Sequence, residues 1–563
     1  MVQTPESPSP EHPQTASYSF FGTPRYLPLF LVQFTGAFNG NFFKNAFVIL
    51  ATFHFALERN WNAEVIAQII AALFVLPYFI FSAVAGQLAD KLEKARIVRI
   101  TKIWEIIALT FGSMAILMDN PWMLFATIFM LGAQAAFFDP LKYSLLPQHL
   151  RGDELLGGNA IFEAATYIAI IGGTLLGELL ISLPHGRLYV SAGLLACAVA
   201  GWVASRFVPA AHSAAPELKI NANVFTATAE LIWFTARRKG IFLTILGISW
   251  VRFIGVFFIT LTPAYVTIQL GSQSWAVTVT ILCAFAIGVG IGALICTHLL
   301  HGEASVKFVP LSGIAMSLFI ADIAWLIVGL AERYTGGEAV FTFFSFTGGR
   351  LLVDLLGMSI CGGIFSVPLF ALMQIWSPPT HRSRVIATNN IINMIFIVAG
   401  SIVVATLFWA GCKAWELIML IAITNLIIAL YVITSKSKKA TIVLTCVLCV
   451  MLVFFIGSAT SSPVGSYQRT DTYYGGNNYT STITVNKDGT IVAEIRTGFG
   501  AVDRTGTYTL NKTGLGEWDL DVVWNSTKFY NTLGERPDLS DRQTFHVDGK
   551  GISIGKTIYT RSK

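Results

Sequence analysis

The sequence predicts an all-α polytopic membrane protein of six plus six helices, extended by a thirteenth apolar segment and a small C-terminal all-β domain. Of its 563 residues, 54% are hydrophobic and 12% are charged, whereas roughly 25% are charged in an ordinary soluble domain. Runs such as "VIAQIIAALFVLPYFIFSAVAG" reach the roughly 20 apolar residues that a membrane span requires. Residues 463–563 instead alternate polar with Tyr, Val, Ile, Thr and Trp between turn signals such as "NKDG", which is typical of a barrel or sandwich.

The spans form two groups of six. Residues 1–24 are rich in Pro, Ser and Thr and lack the apolar core of a signal peptide, so they predict a disordered tail. A six-helix N-terminal bundle over 25–208, a cytoplasmic connection over 209–240 and a six-helix C-terminal bundle over 241–434 follow. The predicted spans are centred near residues 40, 77, 108, 130, 170, 198, 255, 287, 319, 357, 398 and 424. With both ends of this set in the cytoplasm, most Lys and Arg residues lie inside, as the positive-inside rule requires.

Residues 435–462 have a basic cluster, an apolar core and a small-residue tail, which is the layout of a signal peptide within the chain. The segment is either a thirteenth span or a cleavage site. In both cases it predicts a periplasmic or otherwise extracytoplasmic position for the β domain. That domain has no cysteine and no grouping of nucleophile, base and acid, so we expect a binding or structural module with an unidentified ligand or envelope partner.

Several functional classes are excluded by missing motifs. There is no "GxxxxGK[ST]" phosphate loop, so ATP hydrolysis is not expected. The seven cysteines all lie in apolar segments without CxxC pairs, which predicts neither metal ligands nor disulfides. No His is followed by an Asp with four residues between them, which is the spacing that acyltransferases need. The sequence therefore predicts no enzyme, no cofactor and no metal, and its formal charge of +6 reflects membrane topology and not a nucleic-acid partner.

A charged stretch, "GQLADKLEKAR", follows the second span. We expect Asp90 to pair with Lys or Arg and to accept hydrogen bonds at a nearby helix N-terminus, while Gly86 allows close helix packing. Together with Lys91 and Arg96 they are candidate gating residues; the alternative is a solvated basic loop. The stretch resembles the signature loop of the major facilitator superfamily, which implies two bundles that rock about a central cavity over residues 25–434.

Within that superfamily, five segments resemble the bacterial lysophospholipid transporters, including the transporter portion of fused acyltransferase and acyl carrier protein synthetase chains. They are "LPLFLVQFTGAFNGNFFKNAFVILATF", "GAQAAFFDPLKYSLLPQHL", "GNAIFEAATYIAIIGGTLLG", "ILGISWVRFIGVFF" and "RSRVIATNNIINMIFIV". The resemblance implies movement of lysophospholipids from the outer to the inner leaflet of the cytoplasmic membrane, for reacylation by a separate acyltransferase. The alternatives are a carrier for another amphipathic small molecule and a non-transporting sensor or scaffold for the β domain.

Charged and amide residues inside the spans are the candidate substrate-binding residues, because such residues usually face a cavity or each other. A lysophosphatidylethanolamine offers a phosphate, an ammonium group and one acyl chain. The candidates for the phosphate are Lys44, Arg252 and Arg350. Those for the ammonium group are Glu105, Glu163 and Asp354. The amide candidates are Gln33, Asn41, Asn45, Gln134, Asn389 and Asn393.

Structural roles compete with several of these assignments. Arg350 and Asp354 are one helical turn apart and could neutralise each other. Glu105 is one turn from Lys102 and could do the same. The asparagines of "NNIIN" could bond neighbouring helices. Glu163, by contrast, has no cation partner in its own span.

The first span carries two further expectations. At about 100° per residue, Gln33, Asn41, Lys44 and Asn45 share a face that could line a cavity, whereas Asn39 points away and is expected to bond a neighbouring helix. The resemblance implies an acid where this chain has Gly40. With Gly36, that residue forms a Gly-xxx-Gly step, which predicts helix packing.

Overall fold

The computed structural model describes residues 18–59, 61–269, 275–333, 346–410 and 412–434, together with the backbone of strands between 465 and 561. The predicted segment 435–462 and residues 1–17 of the predicted tail lie outside the described residues. Residues 18–24 form hydrogen-bonded turns in which the Phe20 ring is buried and packs edge-on against Tyr26 at 4.9 Å between ring centroids. This part of the tail is therefore ordered.

Helices dominate the described chain. They are α1 Leu27–Leu50, α2 Ala56–Arg59, α3 Ala63–Lys91, α4 Lys94–Leu117, α5 Pro121–His149, α6 Leu155–Ile181, α7 Gly186–Arg206, α8 Val224–Ala236, α9 Lys239–Gln269, α10 Trp275–Leu299, α11 Val309–Arg333, α12 Phe346–Trp376, α13 Arg382–Trp409 and α14 Ala414–Thr434. Asparagine side chains cap the starts of three helices: Asn62, Asn120 and Asn223 accept backbone hydrogen bonds at the first turns of α3, α5 and α8. Helix α8 lies within the connection 209–240, where no helix was predicted.

Eleven described helices are long and apolar enough to cross a membrane. Helix α1 is not among them, because its amides and Lys44 lower the mean hydropathy of a segment that is otherwise apolar. Each predicted span centre nevertheless falls in a long helix. The chain is thus a mostly helical, multi-pass membrane protein, and eleven of the twelve predicted spans meet the criterion within the described residues, whereas the predicted thirteenth segment lies outside them.

The C-terminal region contains strands β1 Gly465–Thr472, β2 Asn478–Val485, β3 Thr490–Thr497, β4 Gly500–Gly514, β5 Glu517–Asn531, β6 Arg542–Asp548, β7 Gly551–Ile554 and β8 Thr557–Arg561. Each is antiparallel to its neighbours in sequence, and β1 also pairs with β8.

These strands do not support the separate all-β domain that the sequence predicted. Their compact unit also contains residues 402–420, which include the end of α13 and the start of α14, and the part of the chain whose side chains are described contains no strand. The predicted fold class is therefore wrong on this point. Alternation and turn signals predict strands but not which other residues pack with them.

Within the other unit, Met1–Ser401 with Ile421–Ile433, the buried apolar clusters of the described residues that join the two halves lie at one end. The end that carries Asp90 has a core built from both halves, including Val98 and Leu145 of the first and Ile245 and Phe365 of the second. The opposite core surrounds Phe42, Phe47 and Leu194 and, among the described residues, takes its members only from the first half. The halves are thus packed together at the Asp90 end.

Candidate functional site

A cavity of about 270 Å³ lies between the two halves. Its wall comes from α1, α3, α4, α5 and α6 of the first half and from α9, α12 and α13 of the second. Seven of the predicted substrate residues line it: Gln33, Asn41, Glu105, Gln134, Arg252, Asn389 and Asn393. Aromatic and aliphatic side chains complete the wall, among them Phe74, Phe138, Phe370, Val256, Ile170 and Ile397. The lining is therefore amphipathic.

An ion pair between the halves forms one side of the cavity. The Arg252 Nη2 group of α9 donates to both carboxylate oxygens of Glu163 on α6, at 2.9 and 3.2 Å. The Tyr143 hydroxyl donates to the same carboxylate at 2.7 Å, and its ring stacks on Phe370 at 4.9 Å between centroids. Glu163 is buried, whereas 26% of the Arg252 side chain remains exposed. The Arg252 guanidinium group thus faces the cavity, and the buried Glu163 carboxylate holds it in position.

Glu105 is held by three side chains. The Lys102 ammonium group lies 2.7 Å from its Oε2 atom, and Asn39 donates to its Oε1 atom at 2.9 Å. Gln134 approaches Oε2 at 3.5 Å. The predicted bond from Asn39 to a neighbouring helix is confirmed. Glu105 also pairs with Lys102, which is the structural role considered for it from the sequence. Its carboxylate still lines the cavity.

A second ion pair lines the cavity on α5. Lys142 lies 2.8 Å from the Oδ1 atom of Asp139, and the Tyr78 hydroxyl of α3 donates to Oδ2 at 2.9 Å. Nearby, three amide atoms that are buried have no hydrogen-bond partner among the described residues. They are Gln33 Oε1, Asn389 Oδ1 and Asn390 Nδ2, all on residues that line the cavity. Such atoms are costly to leave unsatisfied, which favours a polar occupant.

The remaining substrate candidates lie outside the lining. Lys44 donates to Asn41 at 3.1 Å, and Asn45 donates to Thr174 of α6 at 2.9 Å, so both support the cavity wall from α1. Arg350 pairs with Asp322 of α11 through its Nε atom at 2.9 Å, not with Asp354. Neither Arg350 nor Asp354 lines the cavity.

Gly36 and Gly40 both line the cavity. A Cβ atom on Gly36 would lie 3.0 Å from Lys102 Nζ of α4, but Gly40 has no such neighbour, so the predicted Gly-xxx-Gly packing step is wrong. A Cβ atom on Gly40 would meet nothing within 4 Å, whereas one on Gly112 of α4 would lie 2.7 Å from both the Phe43 ring and the Thr127 methyl group.

We expect Gly40→Ala to leave the melting temperature in detergent unchanged or slightly raised, because alanine favours helix and meets no clash here. Gly112→Ala, the matched change in a packed helix, should lower the stability by about 1–3 kcal/mol through overpacking. Thermal unfolding of the purified variants measures both. Equal destabilisation by the two substitutions would contradict the cavity-facing position of Gly40.

The end of α3 is tied to the start of α13. Asp90 is fully buried, and its carboxylate accepts hydrogen bonds from the Ser383 amide at 3.0 Å and from the Arg384 amide and Nε at 3.3 and 3.1 Å. A Cβ on Gly86 would lie 2.7 Å from the Ala387 Cβ, so the two helices touch. The pairing predicted for Asp90 and the close packing at Gly86 are present. Lys91 is half-buried and Arg96 is exposed, and neither joins this contact.

Comparison with known proteins identifies the family. The model of the Major Facilitator Superfamily matches residues 29–353, which is more than half of the chain. The chain belongs to the major facilitator superfamily. It is therefore a transporter of that fold, and the family's proteins are generally not enzymes.

Solved facilitators share the fold. The human organic anion transporter MFSD10 (TETRAN) is 13% identical, with a TM-score of 0.55 over 72% of this chain and 99% of that one. A bacterial homologue of the iron transporter ferroportin, in an outward-facing state, is 14% identical, with a TM-score of 0.51 over 74% of this chain and 98% of that one. At these identities the likeness shows the fold alone.

Curated relatives match this facilitator over its transporter region. The lysophospholipid transporter LplT of Citrobacter koseri is 27% identical over 352 residues, which is 61% of this chain and 78% of the relative. LplT of Salmonella newport is 27% identical over 355 residues, which is 62% of this chain and 79% of the relative.

Sequence reasoning missed several residues of this facilitator's cavity. Tyr78, Tyr143 and Phe370 lie in ordinary apolar stretches, where a buried aromatic residue carries no signal of its own. Gln374 was also missed: it exchanges two hydrogen bonds with Asn159, at 2.8 and 2.9 Å, and so joins α12 to α6. The available signal was a polar residue within an apolar run, as in "ALMQIW".

Proposed function

We propose that this facilitator moves lysophospholipids from the outer to the inner leaflet of a bacterial cytoplasmic membrane. The observation that carries the proposal is Arg252, a cation partly exposed in an amphipathic cavity between the halves. The names of the curated relatives support the same substrate class. A separate acyltransferase would consume the delivered lysolipid.

Arg252 is the candidate ligand of the substrate phosphate. A guanidinium group has five N–H donors in a planar fork that suits phosphate oxygens. Glu163 takes only the Nη2 donor of Arg252 in the contacts given above and fixes the orientation of the group. The role assigned to Glu163 from the sequence, contact with the ammonium group, is thereby replaced by a positioning role.

Acceptors for the substrate ammonium group lie elsewhere in the lining. The carboxylates of Asp139 and Glu105 reach the cavity, and the oxygens of Gln33 and Asn389 have no partner among the described residues. Each can accept an N–H bond. The acyl chain would leave the polar region along Ile170, Val256 and the other apolar lining residues, because burying its methylenes is favourable by ~0.8 kcal/mol each.

Transport would alternate between two arrangements of the halves. In the observed one, the Asp90 contact and the shared core close the end assigned to the cytoplasm. Release of substrate on that side requires the contact between Asp90 and the start of α13 to break. Asp90 and Gly86 are the proposed gate, and the exposed Arg96 has no contact that supports such a role.

Uptake of lysophosphatidylethanolamine carrying a fluorescent headgroup tests the substrate class. Spheroplasts that contain the protein should accumulate the label in the inner leaflet several-fold faster than spheroplasts without it. The chain-free headgroup ester and the diacyl lipid are matched controls that should not be taken up. Equal rates with and without the protein for every lysolipid headgroup would contradict the proposal, and uptake of an unrelated amphipathic molecule alone would favour the wider carrier class.

A further inference from the structure

A second cavity, of about 700 Å³, lies beside the gate and apart from the central cavity. Helix α8, the segment before it and the start of α13 form its wall. The charged residues that line it are Lys219, Glu230, Arg237, Arg238 and Arg384. Four of them are Lys or Arg and one is Glu, so the wall is strongly basic.

Most of this positive charge is not neutralised within the described part of the chain. Lys219, Arg237 and Arg238 form no ion pair with a described carboxylate, and Glu230 is bonded instead to the Asn221 side chain at 3.3 Å. Clustered cations without counter-charges raise the local affinity for an anion. Arg384 contributes a further guanidinium group, whose Nε donates a hydrogen bond to the Asp90 carboxylate.

Aromatic rings hold these cations in place. The Arg237 guanidinium carbon lies 3.3 Å from the Trp233 ring centroid, and that of Arg238 lies 3.6 Å from the Phe234 centroid. The His381 ring stacks on Phe234 at 4.4 Å with an interplanar angle of 4°. Rings that fix guanidinium groups reduce the entropy lost when an anion binds. The guanidinium groups of Arg237 and Arg238 are thus held in position before a ligand binds.

Helix α8 has the character of a helix at a membrane surface. Ala227 and Leu231 pack in a buried cluster with Ala83 and Ala387, whereas Phe225 and Trp233 are 87% and 59% exposed. A short apolar helix with exposed aromatic rings and basic residues at its end is typical of the interface between headgroups and acyl chains.

We propose that this cavity binds the phosphate group of an anionic membrane lipid. The basic wall fits the phosphate, and the exposed rings of α8 fit the apolar part of the same molecule. A soluble phosphate ester would use the cations but leave those rings in water. Because the cytoplasmic leaflet is rich in anionic lipid and its negative surface attracts basic segments, such a ligand is available on the side assigned to this cavity.

Native mass spectrometry of the purified full-length chain in dodecyl maltoside, titrated with dioleoyl phosphatidylglycerol, tests the proposal. The variant Arg237→Gln/Arg238→Gln should bind this lipid about a hundredfold more weakly, since it loses two charge-assisted partners and each loss weakens binding about tenfold or more. Lys219→Gln, which leaves α8 intact, should weaken binding in the same direction. Arg206→Gln removes an exposed cation that also lies over a tryptophan, Trp202, but lies outside the cavity, and should change binding less than twofold.

Two further arms decide the identity of the ligand. Dioleoyl phosphatidylcholine should bind equally to all variants, and sn-glycerol 3-phosphate should not displace phosphatidylglycerol at equal concentration. Unchanged phosphatidylglycerol binding in both cavity variants would overturn the proposal, as would equal displacement by the soluble ester. The melting temperature of each variant identifies any loss that results from misfolding. Because the readout is lipid bound and not lysolipid moved, the result is independent of the proposed transport activity.

Discussion

Replacing Arg252 with alanine is expected to reduce lysophospholipid uptake at least about tenfold. The phosphate loses a charge-assisted partner, and the loss of such a bond costs about 1.5–3 kcal/mol, or about a factor of ten. Initial uptake rates in spheroplasts, normalised to the amount of inserted protein, measure the change. Arg252→Lys should retain part of the activity, because an ammonium group keeps the charge but not the planar fork.

A structural role for the same ion pair predicts a different pattern. Removing Arg252 alone leaves the buried Glu163 carboxylate without its cation, and breaking a buried pair typically costs about 3–5 kcal/mol of stability. The double variant Arg252→Ala/Glu163→Gln removes both charges and should recover stability. If Arg252 binds the phosphate, uptake stays low in the double variant. Recovery of uptake together with stability would show that the pair serves folding only.

Replacing Asp90 with asparagine should shift the population of conformations about tenfold or more toward opening at the gate. One oxygen that accepts from the Ser383 amide or from Arg384 becomes an NH₂ group facing a donor, and an unsatisfied buried donor costs about 1–3 kcal/mol. Spin labels at the exposed positions 96 and 239, at the starts of α4 and α9, report the separation of the halves by electron–electron double resonance.

Asp153→Asn is the matched control for the gate. This acid is exposed, and among the described residues its ion pair is with Arg151 alone, at 3.4 Å, so its loss should leave the distance distribution unchanged. An Asp90→Asn distribution that coincides with those of the wild type and of the control would contradict a gating role for this contact.

The sequence predicted the kind of contact that Asp90 and Asn39 make, from a motif and from helical periodicity, but it did not identify their partner residues on other helices. The partner of Glu163 was not predicted either, because Arg252 comes from a helix of the other half and periodicity within one span carries no information about it. The proposed binding roles of the cavity residues stay predictions.

The wrong predictions came from inferring how residues pack from their type and spacing in the sequence alone. Gly36 and Gly40 have the spacing of a helix-packing step, yet both border the cavity and Gly40 has only open space beside it, since small residues that admit a neighbouring helix can also leave open space. Similarly, the alternation in residues 463–563 indicated strands but not that their compact unit includes residues 402–420. Helix α8 was missed because a short amphipathic segment was counted as loop.

The pairing of charges around the central cavity has a consequence for energetics. The four charged residues that line it, Glu105, Asp139, Lys142 and Arg252, are each bonded to an opposite charge. A zwitterionic lysolipid adds no net charge to this set. Moving one elementary charge across the membrane is worth about 2.3 kcal/mol per 100 mV. Because the proposed substrate and the paired charges of the cavity both sum to zero, we expect the rate of the proposed transport cycle to be insensitive to the membrane potential. Under the proposed function, the direction of transport would follow the lysolipid gradient between the leaflets and the consumption of the lipid by the separate acyltransferase.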